Sequence, residues 1–386
     1  LDQQHHLLFV VNTESAAENN GAGAYNTDCA QGTITSFLVA PDGTLTFADR
    51  VFSRGMFPNS LTVREAREEG REGREGRDSK DDGGELLYVL NAGGPQTAVC
   101  HNQPATSNVP NITGFQVDRT GRMRPLAGST QPIDPGPASA SGGPSCSSAS
   151  AAGFSGLTGA PAADFACGLN PPSFARSPAE VHFTPNGHQL VVTVKGTNTI
   201  YAFRVDNGGR ARDPEIAQAS GALPSYFGFT FGEGGEMLVT ELFGSATAIP
   251  AGGTGALSTF RLDRDGDLHA ISSHVNDGGT AACWVAVEPF AGRFAYVANN
   301  LSANISSYSV ANDGTVALLN STAASGAGPN DMATVYEDGA SFLYVVDAGT
   351  GTVGAFQINL VDGSLTPLVG GAGLPAGHGA QGLAAY

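Results

Sequence analysis

The stretch FLYVVDAGTGTVGAFQINLVDGSLTPL, residues 342–368, holds two β-patterned segments and a hairpin signal in one short span. FLYVVD is a run of apolar and β-branched residues, and VGAFQI alternates apolar and polar residues as a half-buried strand does. The Asp-Gly pair in VDGSLTPL is typical of a tight hairpin, because glycine adopts positive φ at no steric cost. This stretch therefore predicts three antiparallel strands in succession.

The same pattern recurs along the chain. Its first segments are LLFVVN (Leu7–Asn12), LLYVLN (Leu86–Asn91), LVVTVK (Leu190–Lys195), MLVTEL (Met237–Leu242), FAYVAN (Phe294–Asn299) and FLYVVD (Phe342–Asp347). A further strand precedes most of them, in PNSLTV, PAEVHF, PSYFGF, ACWVAV and PNDMAT, and GAQGLAAY (Gly379–Tyr386) ends the sequence. We name the four strands of each unit a to d, so the segments given first are b strands. Four-stranded meanders that recur about every 50 residues indicate a β-propeller.

The pattern predicts an all-β fold with six blades, in a single domain over residues 1–386. The first b strand has no a strand before it, and GAQGLAAY has no b strand after it. Pairing of these N- and C-terminal strands would close one blade and remove two exposed sheet edges.

Insertions are predicted at residues 13–33, 64–84, 92–110, 127–177 and 243–256. All except 64–84 connect b to c or d to a, so they lie on one face of the propeller, and we expect the binding site there. The repeating Arg-Glu-Gly composition of residues 64–84 predicts a solvated excursion without a functional role.

A net charge of −17 excludes nucleic acid and anionic membrane as expected partners, because both would be repelled. No apolar run approaches the roughly 20 residues that span a bilayer. Sequons at Asn111, Asn300, Asn304 and Asn320 favour a secreted glycoprotein, and the start at Leu1 suggests a processed form. We expect a monomer or weak dimer that binds a small molecule.

The cysteines agree with an exported protein. Cys29, Cys100, Cys146 and Cys167 lie in Gly/Ser/Ala-rich loops and are predicted to form disulfides, with Cys29–Cys100 and Cys146–Cys167 as one open possibility. Cys283 lies in an apolar run and is interpreted as a free, buried thiol. No Cys or His spacing indicates a structural zinc site.

Strand a is innermost in a propeller, so equivalent residues of the a strands should form a ring around the axis. The third residues of the aligned a strands are Ser60, Glu180, Tyr226, Trp284, Asp331 and Gln381. We expect them, with Phe227, to line a channel mouth where the only tryptophan either stacks on a ligand or plugs the axis. Glu180 and Asp331 are candidates for acid and base roles, or for simple channel lining.

Further candidates surround this ring. The ends of the b strands form a second tier with Asn91, Asn299 and Lys195, whose ammonium group suits a carboxylate or an enolate. The remaining candidates for proton transfer are Glu241, His101, His378 and His182.

Five stretches resemble the secreted lactonase-like β-propeller family, relatives of bacterial 6-phosphogluconolactonase and fungal carboxymuconate-lactonising enzymes. They are LLYVLNAGG, NITGFQVDRTGRMRPLAGSTQPI, PAEVHFTPNGHQLVVTVKGTNTI, TAACWVAVEPFAGRFAYVANN and LYVVDAGTGTVGAFQINLVDGSLTPL. The resemblance implies seven blades, so a disguised blade within residues 131–177 is an open alternative to six. It supplies no motif that fixes catalytic residues here.

Three functions remain open. The resemblance implies an enzyme that hydrolyses or forms a lactone at the channel mouth without a redox cofactor. A fungal cyclase of Diels–Alder type on the same scaffold would depend on shape and stacking rather than on acid and base. A non-catalytic binding glycoprotein is the third possibility. A divalent cation in the acidic ring is also left open.

Overall fold

Each repeat of the sequence folds as one antiparallel sheet, as its hairpin signals predict. The computed structural model describes residues 5–12, 31–64, 85–93, 109–133, 178–218, 226–242, 255–374 and 382–385. These residues form six sheets, which confirms the prediction of six blades in an all-β propeller.

The strands follow the chain from blade to blade. Blade 1 consists of β1 (Leu7–Asn12), β2 (Gln31–Val39) and β3 (Leu45–Met56), and blade 2 of β4 (Pro58–Arg64), β5 (Glu85–Asn91), β6 (Asn111–Val117), β7 (Met123–Pro125) and β8 (Gln131–Pro132). Blade 3 contains β9 (Pro178–Phe183), β10 (Gln189–Val194), β11 (Thr199–Val205) and β12 (Ala211–Gln218), with a 3-10 turn at Lys195–Thr197 after β10.

Blade 4 contains β13 (Tyr226–Phe231), β14 (Met237–Glu241), β15 (Ala256–Leu262) and β16 (Leu268–Asn276). Blade 5 contains β17 (Ala282–Val287), β18 (Phe294–Asn299), β19 (Asn304–Val310) and β20 (Val316–Ser325). Blade 6 contains β21 (Pro329–Glu337), β22 (Ala340–Asp347), β23 (Thr352–Ile358), β24 (Leu365–Pro367) and β25 (Gly371–Ala372). Three predicted insertions are shorter than expected, because β2 begins at Gln31, β4 continues to Arg64 and β15 begins at Ala256.

Blade 1 shows b, c and d strands, and its predicted a strand falls partly outside the described residues. Residues 382–385 form no strand, but the Gly382 N–H donates a hydrogen bond to Asp331 Oδ2 at 2.7 Å. The C-terminal segment therefore reaches the inner edge of blade 6, and its pairing with β1 stays a prediction. A seventh blade within residues 131–177 also stays untested, since β8 pairs with β6 in blade 2 and residues 134–177 are not described.

The core lies between neighbouring blades, where the apolar faces of adjacent sheets pack together. A tyrosine at the same place in two b strands ties one blade to the next. Tyr88 Oη donates to Gly209 O at 2.9 Å and accepts from Ala211 N at 2.7 Å, both in blade 3. Tyr296 Oη donates to Gly363 O of blade 6 at 2.9 Å. The tyrosine of the repeated b-strand line is thus a buried inter-blade tie.

Replacing Tyr88 with phenylalanine is expected to lower the free energy of unfolding by about 1–3 kcal/mol, because a buried carbonyl and a buried N–H lose their partner. Urea titration checks this value. Tyr336→Phe is the matched control, because Tyr336 is 41% exposed and should unfold as the parent protein does. Equal stability of the two variants would contradict the proposed tie.

The described residues contain no helix that is long and apolar enough to cross a membrane.

Candidate functional site

The pairing of a and b strands identifies which inner residues are equivalent. One residue of each a strand pairs with a central valine of the b strand, in the pairs Leu61–Val89, Val181–Val192, Phe229–Val239, Val285–Val297 and Met332–Val345. The residues that come directly before them in the a strands are Ser60, Glu180, Gly228, Trp284 and Asp331. We call this set the inner ring. Four of the six positions predicted from the sequence therefore belong to it.

Tyr226 does not belong to the inner ring, and this prediction was wrong. Tyr226 pairs with Glu241 at the start of blade 4, and the register shifts between Tyr226 and Phe229. Gly228 occupies the ring position instead. The Tyr226 ring is buried and packs edge to face on Phe260, with centroids 6.0 Å apart, and its role in binding substrate stays a prediction.

Three inner-ring side chains accept hydrogen bonds from outside their own blade. Ser60 Oγ accepts from Val181 N at 3.1 Å, and Glu180 Oε2 accepts from Phe229 N at 2.6 Å. Asp331 Oδ2 accepts from Gly382 N, as described above. The a strand at the axis has no further strand to pair with, so its inner N–H groups need such acceptors. Glu180 and Asp331 therefore help to hold the ring together.

Glu180 and Asp331 are the two buried carboxyl groups of the inner ring, in blades 3 and 6, and we call them the acidic pair. Burial raises the pKa of Glu180 well above its usual range, the Phe229 N–H opposes this shift, and the negative charge of Asp331 adds to it. Burial also raises the pKa of Asp331 to about 7, although the N–H groups of Gly382 and Met332 lower it. The pKa of Asp331 therefore lies near neutrality, and the pKa of Glu180 is shifted upward.

Trp284 packs on the aromatic wall beside this pair. Its indole ring lies edge to face with Phe227, with centroids 5.3 Å apart at 89°. A Cβ atom at Gly228 would lie 3.2 Å from Trp284 Cδ2 and 2.5 Å from Cys283 O. Only glycine therefore lets β13 approach β17 this closely. Trp284 is half-buried, and part of its surface stays open to a ligand.

Lys195 lies one residue beyond its predicted place. Val194 ends β10 and pairs with Thr199, as Asn91 pairs with Asn111 in blade 2, so Lys195 starts the 3-10 turn instead of ending the b strand. Its side chain is buried, with Nζ 4.5 Å from the centre of the Phe227 ring. Burial lowers the pKa of Lys195 to about 7. Its amine therefore lies beside Phe227, although the predicted register was wrong.

Cys283 lies beside this amine and is a free, buried thiol, as predicted. Burial raises its pKa to about 12, against a smaller lowering by Lys195, so the thiol is neutral.

The second-tier asparagines belong to the scaffold. Asn91 Nδ2 donates to Ser53 O at 3.2 Å and to Asn111 Oδ1 at 3.0 Å. Asn299 Nδ2 donates to Ser306 Oγ at 2.7 Å, and both asparagines are fully buried. These hydrogen bonds hold the ends of the two b strands against neighbouring strands. A role in binding substrate stays a prediction.

Glu241 lies in a separate cluster within blade 4. Its carboxylate accepts from Ser258 Oγ at 2.5 Å and contacts His274 Nδ1 at 2.5 Å. Burial raises the pKa of Glu241, and the bonds to Ser258 and His274 oppose that shift. His274 could not be predicted from the sequence. It lies on an exposed d strand, and no motif indicates that its side chain contacts a buried carboxylate.

His182 lies two residues further along β9 than Glu180. Its ring is 6.2 Å from that of Phe229 and 6.1 Å from that of Phe231, and burial lowers its pKa. His101, His378, Gln381 and the cysteines Cys29, Cys100, Cys146 and Cys167 lie outside the described residues.

The sequons differ in accessibility. Asn111, Asn300 and Asn304 are buried, and their amide nitrogens donate to the carbonyl groups of Val109, Pro329 and Ser321. Asn320 is exposed. Glycosylation stays a prediction, and Asn320 is the exposed asparagine among the four sequons. In the described part of the chain, no three or more His, Cys, Asp or Glu side chains are grouped to hold a metal ion.

Comparison with known proteins agrees with this fold. Residues 242–384 match the family described as "Lactonase, 7-bladed beta-propeller", which confirms the predicted resemblance to lactonase-like propellers. The family description gives seven blades, whereas the described residues form six. No curated protein matches the chain.

Several solved structures share the architecture at low identity. The periplasmic gluconolactonase PpgL of Pseudomonas aeruginosa is 15% identical with a TM-score of 0.63, over 97% of this chain and 85% of that one. A candidate 6-phosphogluconolactonase of Bacteroides fragilis is 15% identical with a TM-score of 0.57, over 94% and 80% of the two chains. One from Bacteroides uniformis is 16% identical with a TM-score of 0.58, over 95% and 83%. At these identities the likeness shows the fold.

Proposed function

We propose that this lactonase-like propeller opens or closes a small lactone ring, with Glu180, Asp331, Trp284 and Lys195 acting on it. The observation that carries the proposal is the acidic pair of buried inner-ring carboxyl groups, with the pKa of Glu180 raised well above its usual range and that of Asp331 raised to about 7. Two acids whose pKa values are pushed apart are suited to acid and base roles. The family match over residues 242–384 supports a lactone as the substrate class.

In the proposed hydrolysis, ionised Asp331 removes a proton from a water molecule as the water oxygen attacks the ester carbonyl. The ring C–O bond then breaks, and neutral Glu180 donates its proton to the departing ring oxygen. The ammonium group of Lys195 stabilises the negative charge that develops on the carbonyl oxygen. Asp331 ends protonated and Glu180 ionised, and one proton transfer between them restores the pair. Lactonisation follows the same steps in reverse and releases water.

This assignment predicts a bell-shaped dependence of kcat/KM on pH with its maximum near neutrality. The rate rises as Asp331 loses its proton and falls as Lys195 loses its proton, and both groups have a pKa of about 7. Acid release from a panel of aldonolactones and muconolactones, followed by pH-stat, measures the profile. A rate that stays constant across neutral pH would contradict both assignments.

A second candidate function is the shape-driven cyclisation of a small organic molecule. The edge-to-face aromatic pair Phe227 and Trp284 favours it, as does the use of the Glu180 and Asp331 oxygens by backbone N–H groups. Turnover that survives Glu180→Gln and Asp331→Asn but is lost in Trp284→Ala would support the cyclase. Absence of turnover on every substrate panel would instead support a binding glycoprotein.

We also propose that the protein is exported. The exposed sequon at Asn320 supports this, and the similar gluconolactonase of P. aeruginosa is periplasmic.

A further inference from the structure

A cavity of about 290 Å³ lies towards the ends of the a strands that are distant from Glu180 and Asp331. Its lining includes Thr230, Phe231, Glu233, Glu288, Pro289 and Thr334, and it extends to Val285 and Met332, which follow Trp284 and Asp331 in the chain. These residues come from blades 4, 5 and 6. Blades 4 and 6 are not neighbours, so a cavity lined by both lies at the centre of the propeller. Its face carries the short a–b hairpins of these blades.

The cavity is acidic. The ionisable side chains that line it are two glutamates, Glu233 and Glu288. Glu288 is held in place, because Oε1 accepts from Phe290 N at 2.5 Å and from Ser341 Oγ at 2.9 Å, and Oε2 accepts from Ala291 N at 3.1 Å. A ligand with positive charge is therefore complementary to this lining.

Glu233 is positioned by the turn that follows β17. A Cβ atom at Gly292 would lie 2.9 Å from Glu233 Cγ, so the methylene groups of Glu233 rest on the Gly292 backbone. This contact joins the hairpin of blade 4 to that of blade 5, and it holds the Glu233 carboxylate near the Phe290 turn.

An aromatic pair lies beside the carboxylates. Phe290 and Tyr336 are 54% and 41% exposed, and their rings stack with centroids 4.6 Å apart at 28°. Phe290 follows the lining residue Pro289, and Tyr336 lies two residues beyond Thr334 on the same side of β21. The two exposed rings therefore flank the lining of the acidic cavity.

We propose that this cavity binds a small organic cation. Its alkylammonium group lies on the Phe290–Tyr336 aromatic pair and forms an ion pair with Glu233. An aromatic face attracts a cation electrostatically, and a nearby carboxylate adds charge attraction. The net charge of −17 favours the approach of a cation over that of an anion. This site is separate from the one proposed for lactones.

The test compares choline with 3,3-dimethylbutan-1-ol, which has the same shape without the charge, by NMR titration of the full chain. We expect choline to bind roughly tenfold more tightly than the alcohol. Glu233→Gln and Phe290→Ala should each weaken choline binding by about tenfold. Glu236→Gln is the matched control, because Glu236 belongs to the same hairpin, lies outside the cavity lining, and packs near Gly232 and Gly314.

Three results would overturn the proposal. One is equal binding of choline and the neutral alcohol, which would indicate an apolar or sugar-like ligand. The second is unchanged choline binding in Glu233→Gln, and the third is no binding of choline. Asp331→Asn should leave choline binding intact, so failure of the lactone proposal is distinguishable from failure of this one.

Discussion

Asp331→Asn and Glu180→Gln are each expected to lower kcat/KM for lactone turnover by about 100- to 10,000-fold, the range that removal of a general acid or base produces. Neither amide can accept a proton from water or donate a carboxylic proton. Both replacements are close in shape. Glu180→Gln keeps a carbonyl oxygen for the Phe229 N–H, whereas Asp331→Asn keeps one oxygen for the two N–H groups of Met332 and Gly382. The measurement is the initial rate of acid release near neutral pH, with circular dichroism to verify the fold.

The matched control is Asp347→Asn in the same blade. Asp347 is a partly buried carboxylate at the end of β22 that accepts from Ala327 N at 2.9 Å, and it lies outside the inner ring. It should keep near-normal turnover. Normal rates in both Glu180→Gln and Asp331→Asn would reduce the acidic pair to a structural tie between blades.

The free energy of unfolding is expected to fall as the pH rises from acid to neutral. The folded protein holds the Asp331 proton up to a pKa of about 7, whereas the unfolded chain loses it near 3.8. Within this window the folded state binds more protons, so a rising pH favours unfolding, and the loss from Asp331 alone is about 4 kcal/mol. Asp277, with its pKa raised to about 6 by burial, adds a loss of the same sign.

Urea titrations at about pH 4 and about pH 7 measure this change, because they span the window in which the folded and unfolded states differ in the Asp331 proton. Asp331→Asn removes the titrating group, so its free energy of unfolding should vary less between the two conditions. An equal dependence on pH in the parent protein and in this variant would contradict the burial of Asp331 as an acid.

The propeller could be predicted from the sequence because its signals are local. Each blade carries a β-patterned b strand and a Gly turn, and the structure places the ring residues Glu180, Trp284 and Asp331 as the repeat predicts. Tyr226 was misplaced because a register shift within β13 is not visible in an alignment anchored on Pro224. Lys195 was misplaced by one residue for a similar reason, since the pairing of β10 with β11 sets its end at Val194.

The cavity lined by Glu233 and Glu288 could not be predicted, because no single repeat contains all of its residues. Glu233, Phe290 and Tyr336 come from three blades, and each reads alone as an ordinary residue of a hairpin. The long insertions instead predicted a binding site on the opposite face. Only the closure of blades 4, 5 and 6 around one axis places the two rings and the carboxylate side by side.

The position of Trp284 against Phe227 and Gly228 gives the chain a built-in optical reporter. Because it is the sole indole among 386 residues, intrinsic fluorescence originates chiefly from one end of the propeller. A molecule that binds beside the acidic pair should shift or quench that emission, whereas choline bound in the cavity near Glu233 should leave it nearly constant. The fluorescence of one unlabelled sample can therefore show at which of the two proposed sites a ligand binds.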